Sequence, residues 1–197
     1  MSRLIETIRL DNGKLERLDY HQQRVDYSLK LIFPGSAKLD LQNILNDVTL
    51  PKEGLFKCRI VYNDQHHVIE FTPYIIRPVF SLKKVVRNSI SYSFKFEDRA
   101  ELEEAFACRE NRDDVLIIRE GKVTDTSYSN IAFKREKDWV TPSSCLLKGT
   151  MRQFLLDRRI IKEEEIRETD LNNFEKFRLI NAMIGWTGEE INVSNIA

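Results

Sequence analysis

Residues Ser89 to Arg99 read SISYSFKFEDR. Ile90, Tyr92, Phe94 and Phe96 alternate with Ser89, Ser91, Ser93 and Lys95, the period-two pattern of a strand with one apolar face and one small, polar face. Three short side chains leave room beside the lysine amine. An amine held in a partly desolvated place can lose its proton and become a nucleophile. Beyond Lys95 the pattern turns helical, with Glu97 or Asp98 near the cap and Leu102, Ala105 and Phe106 at helical spacing. Lys95 is therefore expected at a strand end. The commoner place for such a lysine is a solvated strand face, so its role depends on what the rest of the chain supplies.

Composition bounds the classes of function. The 197 residues suffice for one generous domain or two small ones with a proper core. Lysine plus arginine equals aspartate plus glutamate at 31 each, so no net field draws the chain to nucleic acid or an anionic membrane. Cys58, Cys108 and Cys145 are widely separated and form no C-x-x-C pair, which fits reduced, buried thiols rather than disulfides or zinc. His21, His66 and His67 lack metal-ligand spacing, so no metal site is expected. There is no apolar signal core and no run of about 18 apolar residues to span a bilayer. A soluble cytoplasmic protein is the expectation.

In chain order, Leu4 to Leu10 alternates as a strand and Asp11-Asn12-Gly13 reads as a hairpin turn. Asp19 is expected to cap a helix to about Ile32, with Val25, Leu29 and Leu31 or Ile32 on its buried stripe. A second helix spans roughly Leu39 to Val48. Phe56 to Tyr62 and Val68 to Ile76 read as strands joined across Asn63-Asp64-Gln65. The Pro-containing segment Pro73 to Val86 carries the domain connection, giving a small N-terminal α+β domain over 1–80 and a larger domain over 81–197. Val115 to Ile118 is a fully apolar strand. Val123 opens a long extended stretch ending near Pro142. A helix runs from Met151 to about Ile160, with Phe154, Leu155 and Ile160 on one side. Glu164 to Arg167 (strand), Leu171 to Phe177 (helix) and Arg178 to Ile184 (strand) close the chain.

Three further places suit chemistry. In VTDTSYSNIAF, residues 123–133, Asp125 stands among hydroxyl residues within apolar sequence, where a carboxylate needs a cationic or hydrogen-bonded partner. A turn aspartate after Gly121 is the plainer alternative. In LLKGTMRQF, residues 146–154, glycine and a hydroxyl open a helix, and the N–H groups of such an end cradle an anion such as phosphate. Arg59, on KCRIVYN, would bind phosphate or carboxylate if it faced a cleft, and is otherwise a surface strand arginine. His21 reads as a histidine packing the N-terminal unit rather than a general base. Trp139 and Trp186 read as core or interface aromatics.

Together, the strand arginine, the strand-end lysine, the acid five residues before Asn130 in V-x-D-x-S-x-S-N-I, and G-T-M-R-Q at a helix start come in a telling order. They resemble the class IV aminotransferases, which use pyridoxal 5'-phosphate. That family includes branched-chain and D-amino-acid aminotransferases and 4-amino-4-deoxychorismate lyase. The opening ETIRLDNGKLERLDYHQQRVDYS is similar to the family's start, with Glu6-Thr7, Gly13, His21 and Arg24 in the expected places. The likeness runs from about Ile5 to Gly185, in a chain shorter than is usual for the family. It implies an α/β (mixed α+β) fold: the two-domain fold type IV, with a small N-terminal α+β domain and a larger, β-barrel-like, cofactor-binding C-terminal domain with helices. It also implies a homodimer acting on a small amino substrate, with sites between the two domains near the subunit interface.

Carried over by this resemblance, Lys95 matches the lysine that links covalently to the cofactor and then moves the proton. Asp125 falls where the family places a glutamate against the pyridine nitrogen, and it is shorter by one methylene. Such a carboxylate keeps the nitrogen protonated, so that the ring can accept electrons. Arg59 matches the phosphate arginine, and Asn130, the asparagine of the Asp125 run, is carried over as a cofactor-binding residue. Gly149, Thr150 and Met151 match a G-I-T turn with its hydroxyl displaced by one position. Asn181 in INAMIG falls where many relatives carry a phosphate-binding threonine. The K-x-x-x-R pattern ending at Arg99, together with GTMRQF and INAM, is most similar to the lyase, which releases pyruvate and 4-aminobenzoate. A small aminotransferase acting on D- or branched-chain amino acids is the alternative, and a non-catalytic relic of the fold that keeps the cofactor is a third. Arg24, Arg87 and Arg99 are candidates for a substrate carboxylate.

Overall fold

The computed structural model describes residues 2–197. They divide into two compact units, one of residues up to Ile76 plus Phe94–Asp98, the other of Arg77–Ser93 and Arg99–Ala197.

The first unit is an antiparallel sheet and two helices. Its elements are β1 (Leu4–Asp11), β2 (Lys14–Leu15), α1 (Leu18–Ile32), α2 (Leu41–Asn46), β3 (Leu55–Tyr62) and β4 (His67–Pro73). The sheet order is β2-β1-β3-β4. Asn12 and Gly13 turn β1 into β2 with φ of 47° and 81°, the left-handed pair a two-residue hairpin needs. Arg17, not Asp19, holds the cap position of α1, with φ of 53°. Asp40 caps α2 by accepting from Asn43 N at 3.0 Å. Leu4 and Ile8 of β1 and Cys58, Ile60 and Tyr62 of β3 meet Val25, Leu29, Leu41 and Leu45 in one core.

Glu6 lies on that same apolar face of β1, between Leu4 and Ile8, and is fully buried. His21 and Arg24, three apart on α1, reach it: His21 Nδ1 at 2.5 Å, Arg24 Nε at 2.8 Å and Arg24 Nη2 at 2.5 Å. Burial alone would raise the Glu6 carboxyl, but Arg24 and His21 outweigh it and hold it down at about 2. Burial lowers His21, so its ring is neutral at neutral pH and packs as the sequence suggested.

The segment quoted above is not a ladder strand. Ile90 and Tyr92 are buried while Ser89, Ser91 and Ser93 are exposed, so the period-two burial is real. The hydrogen bonds differ from those of a strand, because Ser91 N donates to the Glu101 carboxylate at 3.0 Å. Pairing is confined to the next few residues, where Ile5 N donates to Lys95 O and Glu97 N to Arg3 O, each at 2.9 Å. Leu4 and Phe96 form an isolated bridge there. Phe94 stacks on Tyr27 at 5.9 Å and meets Phe96 edge-on at 6.0 Å.

The second unit comprises β5 (Leu82–Val86), α3 (Ala100–Ala107), β6 (Asp114–Arg119), β7 (Lys122–Thr126), β8 (Asn130–Arg135), β9 (Asp138–Pro142), α4 (Thr150–Asp157), β10 (Lys162–Glu164), β11 (Lys176–Ile180) and β12 (Ile191–Asn192). They form a three-stranded sheet, β5-β6-β7, and a five-stranded sheet, β10-β9-β8-β11-β12. Leu82, Leu116, Ile118 and Val123 of the first share one core with Ile131, Phe133, Val140, Phe177 and Leu179 of the second. On the other face of β8 and β11, Ala132 and Ile180 meet Met151 and Leu155 of α4. Burial on both faces explains the apolar runs in these strands. Trp139 and Trp186 pack edge-on at 5.2 Å, with the Arg178 guanidinium against both rings. The last expected helix is a 3-10 turn over Glu168–Asn173, and β11 begins at Lys176. Leu171 and Phe174 are buried three residues apart, as a three-residue turn requires. Ile160 lies beyond the end of α4 and is 42% exposed, not on its buried side.

Glu6→Gln should destabilise the protein by about 3–5 kcal/mol at neutral pH, because it leaves the buried His21 and Arg24 without their carboxylate. The folded value of Glu6 lies below its ordinary 4.5, so its contribution is complete above 4.5 and is lost as pH falls through about 2. Denaturant titrations across that window should show the two proteins converging in acid.

Candidate active site

In the second unit the chain brings six of the expected site residues together. Asp125 is the fourth residue of β7, Asn130 opens β8, and Gly149 caps α4, whose first residues are Thr150 and Met151. Asn181 follows β11, the neighbour of β8.

Asp125 is 5% exposed. Its Oδ2 accepts Leu146 N at 2.8 Å and Leu147 N at 2.9 Å, and its Oδ1 accepts Asn130 Nδ2 at 2.7 Å. A carboxylate oxygen offers two lone-pair sites, so Oδ2 is satisfied and Oδ1 keeps one acceptor position. Burial pushes this carboxyl up to about 6, against the opposing pull of Leu147 N–H, Asn130, Arg152 and Leu146 N–H. Arg152 itself is buried and donates to Pro142 O at 3.0 Å and to Glu163 at 2.5 Å. Asp125 is thus mostly ionised at neutral pH and held by neutral donors.

The turn between β7 and β8 is closed by its hydroxyls. Thr126 N and Ser129 N donate to Ser129 O and Thr126 Oγ1 at 2.9 Å and 3.1 Å. Ser127 Oγ donates to the buried Asp114 at 2.5 Å. Asn181 Nδ2 donates to Ser129 Oγ at 2.9 Å, while its Oδ1 accepts Met183 N and Ile184 N. The asparagine therefore shapes its own loop and ties that loop to the turn. Arg99 holds the other side. Its guanidinium lies 4.4 Å from the Tyr128 ring centre, donates to Ser127 O at 2.6 Å, and leaves a buried Nε without a partner. Tyr128 is 60% exposed and meets Phe106 edge-on.

Lys95 and Arg59 belong to the first unit. Lys95 is half-buried, with its carbonyl bound by Ile5 N. Arg59 donates to Glu97 at 2.7 Å and to Glu70 at 3.3 Å, and Arg3 takes the other oxygen of Glu97 at 2.6 Å. A phosphate at Arg59 would share it with these carboxylates. Nothing in the sequence marks Glu97 as its partner, because the two are 38 residues apart. Nor does the sequence mark Ser129, Asp114 or the Tyr128 stack, although Ser129 and Tyr128 stand inside the run 123–133.

Residues 97–188 fit the family model for amino-transferase class IV. A Schizosaccharomyces pombe protein named "Putative aminodeoxychorismate lyase" is 30% identical, the match covering 92% of this chain and 86% of that protein. A crystal structure from Haemophilus somnus 129PT, titled as a "putative 4-amino-4-deoxychorismate lyase", is 38% identical, with a TM-score of 0.89 over 94% of this chain and 98% of that one. A pyridoxal phosphate-bound structure titled as a hypothetical aminotransferase of Mycobacterium tuberculosis shares the fold at 17% identity, with a TM-score of 0.77 over 96% of this chain and 80% of that one. The chain belongs to the class IV aminotransferase family.

Arg99→Met should destabilise the second unit by about 1–3 kcal/mol through loss of the stack and the Ser127 hydrogen bond. Hydrogen exchange at the Ser129 amide should quicken with it. Arg99→Lys should recover little, because a point charge lacks the planar donor fork; full recovery by lysine would mean that charge alone matters.

Proposed function

We propose that this chain is a pyridoxal phosphate-dependent 4-amino-4-deoxychorismate lyase, acting as a homodimer. The observation that carries this reading is the near full-length similarity to the Haemophilus somnus protein, in a chain that carries Lys95, the GTMRQ and INAM residues, and Asp125 in the place of the family's glutamate. No helix among the described residues is long and apolar enough to cross a membrane.

The residues present suit the cofactor. Asp125 is a buried, ionised carboxyl with one acceptor position left, and its raised value marks a charge that lacks a cationic partner. A protonated ring nitrogen would supply one. Gly149 places no side chain over the first turn of α4, and no side chain caps that end, which suits a phosphate. Arg59 is the further phosphate candidate; Asn181, whose Nδ2 donates to Ser129 Oγ and Tyr128 O, would hold the loop beside it, and the Lys95 amine would be the point of covalent attachment.

When bound, the cofactor supplies an electron sink for the carbanion formed on the amino substrate. The protein then has two tasks. Asp125 would hold a proton on the ring nitrogen. Lys95 Nζ takes a proton from the substrate ring and returns it to the methylene of the departing enolpyruvyl group, so that pyruvate and 4-aminobenzoate leave with all atoms accounted for. The hydroxyl-closed turn and the two carboxylates on Arg59 keep the anion-binding groups in place.

Purified protein loaded with pyridoxal phosphate and given 4-amino-4-deoxychorismate should release pyruvate and 4-aminobenzoate in equal amounts, and Lys95→Ala should release neither. Visible absorption of lysine-linked cofactor without product would redirect the assignment to an aminotransferase, tested with D- and branched-chain amino acids and a 2-keto acid. Neither absorption nor product would overturn the enzyme reading. Light scattering of the same sample tests the dimer.

A further inference from the structure

We propose that Asn130 is a positioning residue: it acts through Asp125 and the loop leading into α4 rather than as a ligand of the cofactor, and Gly149 is glycine because the Asn130 amide fills the place of a β-carbon. Both Asn130 Nδ2 hydrogens are engaged by the protein, one on Asp125 Oδ1 at 2.7 Å and the other on Leu147 O at 2.8 Å. None remains for a phosphate. A β-carbon at Gly149 would overlap the Asn130 amide oxygen, so a larger residue there would have to push the amide off its two acceptors. Gly149 has φ of −69°, an ordinary angle for any residue, so backbone freedom does not explain the glycine.

The consequence is a closed relay. Leu146 N and Leu147 N hold one oxygen of Asp125, Leu147 O holds Asn130, and Asn130 holds the other oxygen. Each contact sets the geometry of the next, so the carboxylate presents its remaining acceptor position in one direction. Position 149 stands against the amide that closes the ring of contacts. This inference rests on the proposed function only for what Asp125 faces.

The test compares the full-length wild type with Asn130→Ala, Gly149→Ala and the double variant. Two readouts are used: the Asp125 titration by carboxyl NMR in cofactor-free protein, and pyridoxal phosphate affinity by absorption. Losing the Asn130 donor should raise the Asp125 titration by about one pH unit, a roughly tenfold change in its protonation equilibrium, and weaken cofactor binding roughly tenfold. Gly149→Ala should move both in the same direction, and the double variant should be no worse than Asn130→Ala, because both changes break one contact. Effects that add in the double variant, or an Asp125 titration unmoved by either single change, would overturn the proposal. If Asn130→Ala does not fold, Gly149→Ala, which keeps every donor, decides it alone by the same titration. Shifted titrations in proteins that bind no cofactor, wild type included, would keep the relay and defeat the proposed function instead.

Discussion

A carboxylate inside a protein is tolerated only when its charge is answered. Asp125 is answered by three neutral donors, and the cation whose field reaches it, Arg152, is itself paired with Glu163. The charge is stabilised enough to exist at neutral pH but remains above its ordinary range. Much of the second unit is arranged around that condition. β7 carries the acid, β8 opens with its amide partner, and the loop before α4 turns two backbone N–H groups toward it.

The first unit contains a contrasting solution. Glu6 is as deeply buried as Asp125, yet it is held far below its ordinary value because Arg24 and His21 touch it directly. The two carboxylates differ in what they leave open. Glu6 is a closed structural pair between sheet and helix, with its charge already matched. Asp125 keeps an acceptor position and an unmatched charge, the condition of a group that meets a positive partner from outside the chain.

Much of this was legible in the sequence where side-chain pattern alone decides the outcome. The Asn12-Gly13 hairpin, the doubly buried strand at Val115 to Ile118 and the helix opening at Gly149 all follow from turn chemistry or periodicity. The V-T-D-T-S-Y-S-N run also marked the acid and its neighbours correctly as one cluster. What escaped was the identity of distant hydrogen-bond partners. The alternation predicted the burial of Ile90 and Tyr92 between exposed serines, but Phe94, Lys95 and Phe96 are all half-buried, and a period-two pattern does not reveal that Ser91 N turns to Glu101. Arg59 faces Glu70 across the β3–β4 pair, but nothing local announces Glu97, 38 residues away. The helix expected over Leu171 to Phe177 failed because a spacing of three satisfies a 3-10 turn as well as an α-helix.

The most direct measurement follows the Asp125 carboxyl by NMR titration in the wild-type protein before and after addition of pyridoxal phosphate. Without cofactor it should titrate near 6, and with cofactor it should stay ionised well below that value, because a protonated ring nitrogen supplies the missing positive charge. A titration that begins in the ordinary aspartate range, or that does not move when cofactor binds, would contradict the role given to this residue.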